Sequence, residues 1–194
     1  LSGIPDDLNI LFKQTRDAGA RVHNNSWGGA AKGSYLGNCQ DVDEFCWNNK
    51  DYTILYAAGN EGVDMIPVLG MIDDFSLGAP ASSKNCITVG ASENNRPDSG
   101  VTSNYGAGGD PRWANEPIKS DTKSNNVNGM AAFSSRGPCW DGRYKPDICA
   151  PGTNILSTRS TEAPDSSFWA AFNADYAFMG GTSMASPLTC GMCA

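Results

Sequence analysis

The stretch YAFMGGTSMASPLTCGMCA (176–194) decides how the rest of the chain is read. A short apolar run leads through Gly180 and Gly181 into small residues that begin a helix, and Ser183 falls where that helix starts. A serine has two uses there. Its oxygen can accept from an unpaired first-turn N–H and cap the helix. It can also act as a nucleophile, because the same N–H groups and the positive end of the helix dipole stabilise an oxyanion forming beside it. The stretch alone leaves both uses open, so the remaining residues must choose.

A chain of 194 residues with 40% hydrophobic content can bury a core as one domain, and no internal repeat suggests an array. The formal net charge of −7, with no basic block to offset it, argues against nucleic acid or an anionic membrane as a partner. Apolar runs are too short to span a bilayer, and no basic-then-apolar leader is visible. The chain opens on Leu1 and reads as a piece of something longer.

Helical and strand patterns alternate. PDDLNILFKQTRDAGA (5–20) has an apolar stripe at Leu8, Leu11, Phe12 and Ala18, between Pro5 with its acids and Gly19. RVHNNSWGG (21–29) is a strand entering a glycine loop, and DVDEFCWNNK (41–50) is a second helix through Val42, Phe45 and Cys46. YTILYAAGNEG (52–62) and CITVGAS (86–92) are buried strands. This order predicts an α/β layer fold with a mainly parallel sheet, whose strand carboxyl ends collect ligands; Ser26 and Asn60 stand at such ends. Residues 94–130, rich in Asn, Gly, Ser and Pro, interrupt the pattern as a long surface loop within the domain. The alternative is a loop bordering a cleft, with Tyr105 or Trp113 as contacts.

Five motifs in order, NNSWGG (24–29), YAAGNEG (56–62), FSSRGP (133–138), KPDICAPG (145–152) and GGTSMASP (180–187), resemble the series of the subtilisin-like serine proteases. Within that family the chain looks most like the large oxidatively stable alkaline proteases that carry a β-rich domain downstream. The resemblance implies a three-layer α/β fold, incomplete at both ends, with residues 1–194 as a partial peptidase domain. It implies a serine endopeptidase acting on polypeptides through an acyl-enzyme on Ser183, with the Asn60 side chain and the Ser183 N–H as oxyanion donors. Ser26, Trp27 and Gly28 would pair with an extended substrate. Gly59, Ala79 and Pro80, with Ala57 and Ala58, would form the main specificity pocket, Thr182 would join the substrate-binding set, and the Ala79–Pro80 peptide would be cis. The family is mostly secreted, and its chemistry requires no cofactor. Many members bind structural calcium, but Asp64, Asp73 and Asp74 match no ligand motif and read as solvated loop charges.

A serine nucleophile needs a base, and the base an orienting carboxylate; in this family they come in chain order Asp, His, Ser. Neither the Asp nor the His motif is present. The single histidine, His23, precedes Ser26 on a strand and reads as a partly buried structural residue. The resemblance therefore puts the catalytic Asp and His upstream of Leu1, in a segment of the same protein, and residues 1–194 alone are expected to be inactive. Two rival readings are a non-catalytic peptide-binding module and an α/β-hydrolase esterase. The esterase would need Gly-x-Ser-x-Gly where this chain has Gly-Thr-Ser-Met-Ala. Of seven cysteines, Cys39 and Cys46 suggest a disulfide, while Cys190 and Cys193 are expected on the buried side of the serine helix. Asp147 reads as a structural acceptor.

Overall fold

In the computed structural model, which describes residues 3–65 and 68–194, the first helix starts where the sequence offers a cap. The Asp7 carboxylate accepts from the Asn9 N–H at 2.9 Å, and α1 runs over Leu8–Asp17. Leu8 and Phe12, four residues apart, share its buried face. The second helix, α2 (Gly37–Asn48), buries Cys39, Val42 and Phe45 at helical spacing.

The strands to residue 151 are β1 (Val22–Asn25), β2 (Gly29–Ala30), β3 (Thr53–Ala57), β4 (Gly78–Ala79), β5 (Ile87–Ser92) and β6 (Ile148–Pro151). Parallel pairing orders four of them β1-β3-β5-β6, while β2 and β4 form a separate antiparallel pair. Side chains alternate across the sheet. Ile54 and Tyr56 face the core shared with α1 and α2. Leu55, Val89 and Ala91 face the opposite core, which includes Ala185 of the third helix, α3 (Thr182–Cys193). The result is three layers, helix, sheet and helix. A second, antiparallel sheet of β7 (Ile155–Thr158), β8 (Ala170–Ala171) and β9 (Tyr176–Met179), ordered β7-β9-β8, delivers the chain to α3. No helix among the described residues is long and apolar enough to cross a membrane.

Residues 94–130 contain only short 3-10 turns at Ala107–Gly109 and Ile118–Ser120, yet they are fastened to the domain. Tyr105 and Trp113 are buried in the core on the α3 side. The Tyr105 hydroxyl accepts from the Ala132 N–H at 3.1 Å, and the Trp113 indole donates to the Gly62 carbonyl at 3.2 Å. A buried polar cluster holds the root of the excursion. Glu93 accepts from the Asn125 and Asn126 N–H groups at 3.2 Å each, Ser124 donates to Thr153 at 2.7 Å, and the Asn154 amide bonds both the N–H and the carbonyl of Val101. Asp147 accepts from the Thr88 N–H at 2.7 Å and from the buried Lys145 ammonium at 2.5 Å.

The cysteines correct the sequence reading. Cys39 and Cys46 lie seven residues apart on α2, about 10 Å along its axis, beyond the roughly 7 Å that a disulfide can bridge. All seven cysteines are free. The core on the α3 side reaches Cys190 and stops, so Cys193, on the last turn, is exposed instead of buried. Cys86 is enclosed, and burial pushes its thiol up to about 11.

Burial also pushes Glu93 up to about 7, against about 4.3 in an unfolded chain. The folded state therefore binds this proton more tightly than the unfolded one. The resulting stabilisation is fully present below pH about 4.3 and is lost as pH rises through about 7. Glu93→Gln keeps an acceptor for Asn125 and Asn126. It is expected to flatten the stability profile between these limits and to raise stability above pH 7 by about 1–3 kcal/mol. Denaturant titrations across the range, in the protein that carries this domain, check both effects.

Candidate active site

Beyond β3 the chain turns at Gly59, whose φ of +110° favours glycine. A β-carbon there would also lie 2.8 Å from the Ser135 hydroxyl. The turn brings Asn60 against the start of α3. Asn60 Oδ1 accepts from the Thr182 N–H at 2.9 Å and from the Thr182 hydroxyl at 3.1 Å, and that hydroxyl accepts in turn from the Gly59 N–H at 3.2 Å. A backbone N–H can only donate, so the atom facing the Thr182 N–H is the amide oxygen, and the assignment of Oδ1 and Nδ2 follows.

Ser183 is not the cap. Gly181, with φ +142°, occupies that position, and Ser183 is the second helical residue. Its N–H belongs to the first turn, where no preceding helical carbonyl can reach it. A β-carbon built on Gly181 would lie 3.5 Å from Asn60 Oδ1, 3.6 Å from Asn60 Nδ2 and 3.7 Å from the Ser183 nitrogen. The Asn60 amide and the Ser183 N–H thus lie about the same glycine. The Ser183 hydroxyl donates to the Ser26 carbonyl at 3.2 Å, while the Ser26 hydroxyl donates to the Ser183 carbonyl at 2.9 Å. Asn24 extends the connection, donating to Ser26 at 3.0 Å and accepting from Ser186 at 2.6 Å.

Strand alternation decides the position of His23. It stands opposite Ile54 in the β1–β3 register and so faces the α1 side. There its Nδ1 lies 3.1 Å from the Thr15 hydroxyl and 2.8 Å from the Tyr52 hydroxyl, and its ring meets Phe12 edge-on at 5.3 Å. Asn24, opposite Leu55, faces α3. The imidazole is on the far side of the sheet from Ser183, and burial lowers its pKa.

A cleft of about 190 Å³ opens beside Ser183, between Ser26, Trp27 and Gly28 on one wall and Gly59, Asn60 and Ala79 on the other, with the buried Thr182 bordering it. A β-carbon at Gly28 would lie 2.9 Å from the Ala79 carbonyl oxygen, so the two walls approach as closely as backbone allows. Trp27 lines the cleft and packs edge-on against Tyr56 at 5.3 Å. The Ala79–Pro80 peptide is cis. Ala58 and Pro80, expected as substrate contacts, are instead buried behind the wall. Alternation turns Ala58 into the core beside α1 and α2, leaving Ala57 and Gly59 at the surface of the cleft. Ala30, Glu61 and Gly78 also line it and were passed over in the sequence. The place of Glu61 next to Asn60 was the available signal, whereas Ala30 and Gly78 arrive only through the β2–β4 pairing.

Asp64 is another correction. It is buried, with one carboxylate oxygen accepting from the Gly70 N–H at 2.8 Å and the other without a hydrogen-bond partner among the described residues. Its own N–H donates to the Arg112 carbonyl at 2.7 Å, which joins it to a segment distant in sequence. Among the described residues no three carboxylate, imidazole or thiol side chains converge to hold a metal.

A family model described as Peptidase_S8, the subtilase family, matches residues 7–194. The chain is 30% identical over 201 residues to the Serine protease/ABC transporter B family protein tagB of Dictyostelium discoideum, covering 80% of this chain and 10% of that protein. It is 32% identical over 143 residues to Serine protease AprX of Bacillus subtilis strain 168, covering 73% of this chain and 25% of that one. The fold is similar to that of the Clostridium perfringens CspB protease, with a TM-score of 0.57 at 15% identity, over 96% of this chain and 57% of that one. The chain thus spans between a tenth and a quarter of the length of these two curated relatives.

The glycine pair before Ser183 is braced from outside the sheet. A β-carbon at Gly180 would fall 2.1 Å from the Trp169 ring, so the indole lies directly on the glycine. Gly180→Ala is expected to cost about 1–3 kcal/mol by forcing the ring aside. Combined with Trp169→Ala, the same change should cost little beyond Trp169→Ala alone. Urea unfolding of the parent, both single variants and the double variant measures that coupling.

Proposed function

Because the chain belongs to the subtilase family, we propose that it carries the nucleophile and oxyanion half of a serine endopeptidase site. The observation that supports this most is the meeting of the Asn60 amide, held by Thr182, with the first-turn N–H of Ser183 about one glycine, Gly181. An extended polypeptide lies along Ser26, Trp27 and Gly28 through main-chain hydrogen bonds and places one side chain in the small-residue cleft. Ser183 Oγ attacks the scissile carbonyl carbon. As the carbonyl oxygen takes up negative charge, the two fixed donors and the positive end of α3 stabilise it without having to reorganise.

The Ser183 proton passes to a base and from there to the leaving amine, and water then resolves the acyl-enzyme. In this reading the base is a histidine, oriented by an aspartate, and both come from a segment of the same protein upstream of Leu1. The imidazole replaces the Ser26 carbonyl, which otherwise receives the Ser183 proton. No cofactor takes part, and an extracellular setting is carried over from the family.

Two measurements test the reading. A serine-directed phosphonate added to the protein that contains these residues should label Ser183 alone, with no label after Ser183→Ala. A label on another serine, or none, ends the assignment; peptide binding without labelling is what the non-catalytic module foresees. Asn60→Asp retains the acceptor for Thr182 but loses the N–H donor. It should lower kcat by at least about 10² with little change in KM, a magnitude borrowed from removal of the corresponding asparagine in subtilisin.

A further inference from the structure

Asn60 stands in the walls of two cavities. One is the cleft along Ser26 and Gly28; the other, of about 470 Å³, is reached past Gly180 and Gly181. Tyr105, Trp113 and Phe133 give the second cavity an aromatic lining, with Trp169 where it meets Gly180. Two of these rings come from residues 94–130 and one from the stretch between β7 and β8, so both long excursions converge here.

Its charges are unequal. Asp110 and Arg112 pair with each other at 2.7 Å, and the guanidinium also lies 4.3 Å from the Trp113 ring centroid. Lys123 is held differently. Its ammonium donates to the Ser103 carbonyl, the Ser103 hydroxyl and the Asn104 carbonyl at 3.3, 3.2 and 2.9 Å, and lies 5.4 Å from the Tyr105 ring centroid. These partners are neutral, and the one carboxylate of the lining, Asp110, is paired with Arg112 while also acting on Lys123 through space, so the lining holds two cations to one carboxylate. Desolvation lowers the Lys123 pKa, which means that the ammonium lacks part of its hydration and gains from any anion brought near it. Glu61 belongs to the wall of the first cleft, outside this lining, and its carboxylate acts through space on Arg112 and not on Lys123.

The direction of a bound peptide connects the two volumes. With its acyl side along Ser26, Trp27 and Gly28 and its scissile carbonyl between Asn60 Nδ2 and the Ser183 N–H, the chain beyond the bond leaves past Asn60 and Gly181. That exit opens on the second cavity.

We propose that this cavity receives the side chain of a substrate residue on the leaving side of the scissile bond and selects an acidic one, glutamate above all. The methylenes lie against the aromatic lining and the carboxylate meets Lys123. The inference rests on the peptidase reading of Ser183. A partly desolvated cation beside apolar walls discriminates charge more strongly than one in water, because the local dielectric is lower.

The test uses the protein that contains this chain and peptides identical except for Glu, Gln, Phe or Lys at the first or second position after the cleaved bond. The Glu peptide should exceed its Gln counterpart in kcat/KM by about tenfold, with Lys the poorest. Lys123→Gln should bring the Glu-to-Gln ratio close to one, and Lys123→Arg should preserve it. Because the readout is a ratio within one enzyme, a general loss of activity does not alter it, and phosphonate labelling of Ser183 reports that each variant is folded. A ratio near one in the parent, a preference for Phe over Glu, or a ratio unchanged in Lys123→Gln overturns the proposal while leaving the peptidase reading intact. Absence of both cleavage and labelling overturns the two together.

Discussion

The bond between Asn60 Oδ1 and the Thr182 N–H governs the site. It joins residues 122 apart in sequence and satisfies a first-turn amide of α3 with an acceptor from the end of β3. Its energy is modest, about 1 kcal/mol as for most protein hydrogen bonds, but its geometric effect is large. By occupying the oxygen of the Asn60 amide, it fixes which way the nitrogen points. The second acceptance, from the Thr182 hydroxyl at 3.1 Å, holds the same orientation, and the Gly59 N–H on that hydroxyl locks the turn that delivers Asn60. A helix start and a strand end are aligned by one amide, and the two donors beside Ser183 follow from that alignment.

Strand alternation divides the labour around this bond. In the β1–β3 register, His23 and Ile54 face α1, while Asn24 and Leu55 face α3. The polar chain from Ser186 through Asn24 and Ser26 to Ser183 therefore lies on one side of the sheet, and the cluster of His23, Thr15 and Tyr52 on the other. Each set is held by mutual hydrogen bonds, as buried polar groups require. A shift of one residue in the register would exchange the two faces, placing the imidazole toward the serine and opening the bonds to α3.

Much of this was legible because it is local or repetitive. Helices α1 and α2 follow from apolar spacing and, for α1, from Asp7; β3 and β5 follow from short apolar runs; and the motifs around Asn60 and Ser183 carry the site as a set. What could not be read depends on partners distant in sequence. Nothing in residues 94–130 signals that Tyr105 and Trp113 are enclosed, because the groups enclosing them, Gly62 and Ala132 among them, lie outside the segment. The burial of Asp64 is likewise hidden in the sequence, because one of its partners, Arg112, lies 48 residues away. Motif resemblance assigns Ala57 and Ala58 to one neighbourhood, whereas strand alternation turns Ala58 into the core and Ala57 to the cleft.

The bonds between Ser26 and Ser183 span 157 residues, and this separation has a consequence for how the protein is made. Contacts between distant residues require the loop between them to be closed first, so they form late in folding. During synthesis the strands that bear Ser26 and Asn60 emerge before α3, but a domain folds as a unit. Until α3 is made, the Ser26 hydroxyl and the Asn60 amide lack the partners that hold them. The walls of the cleft and Ser183 are therefore expected to take their places together, when the helix docks.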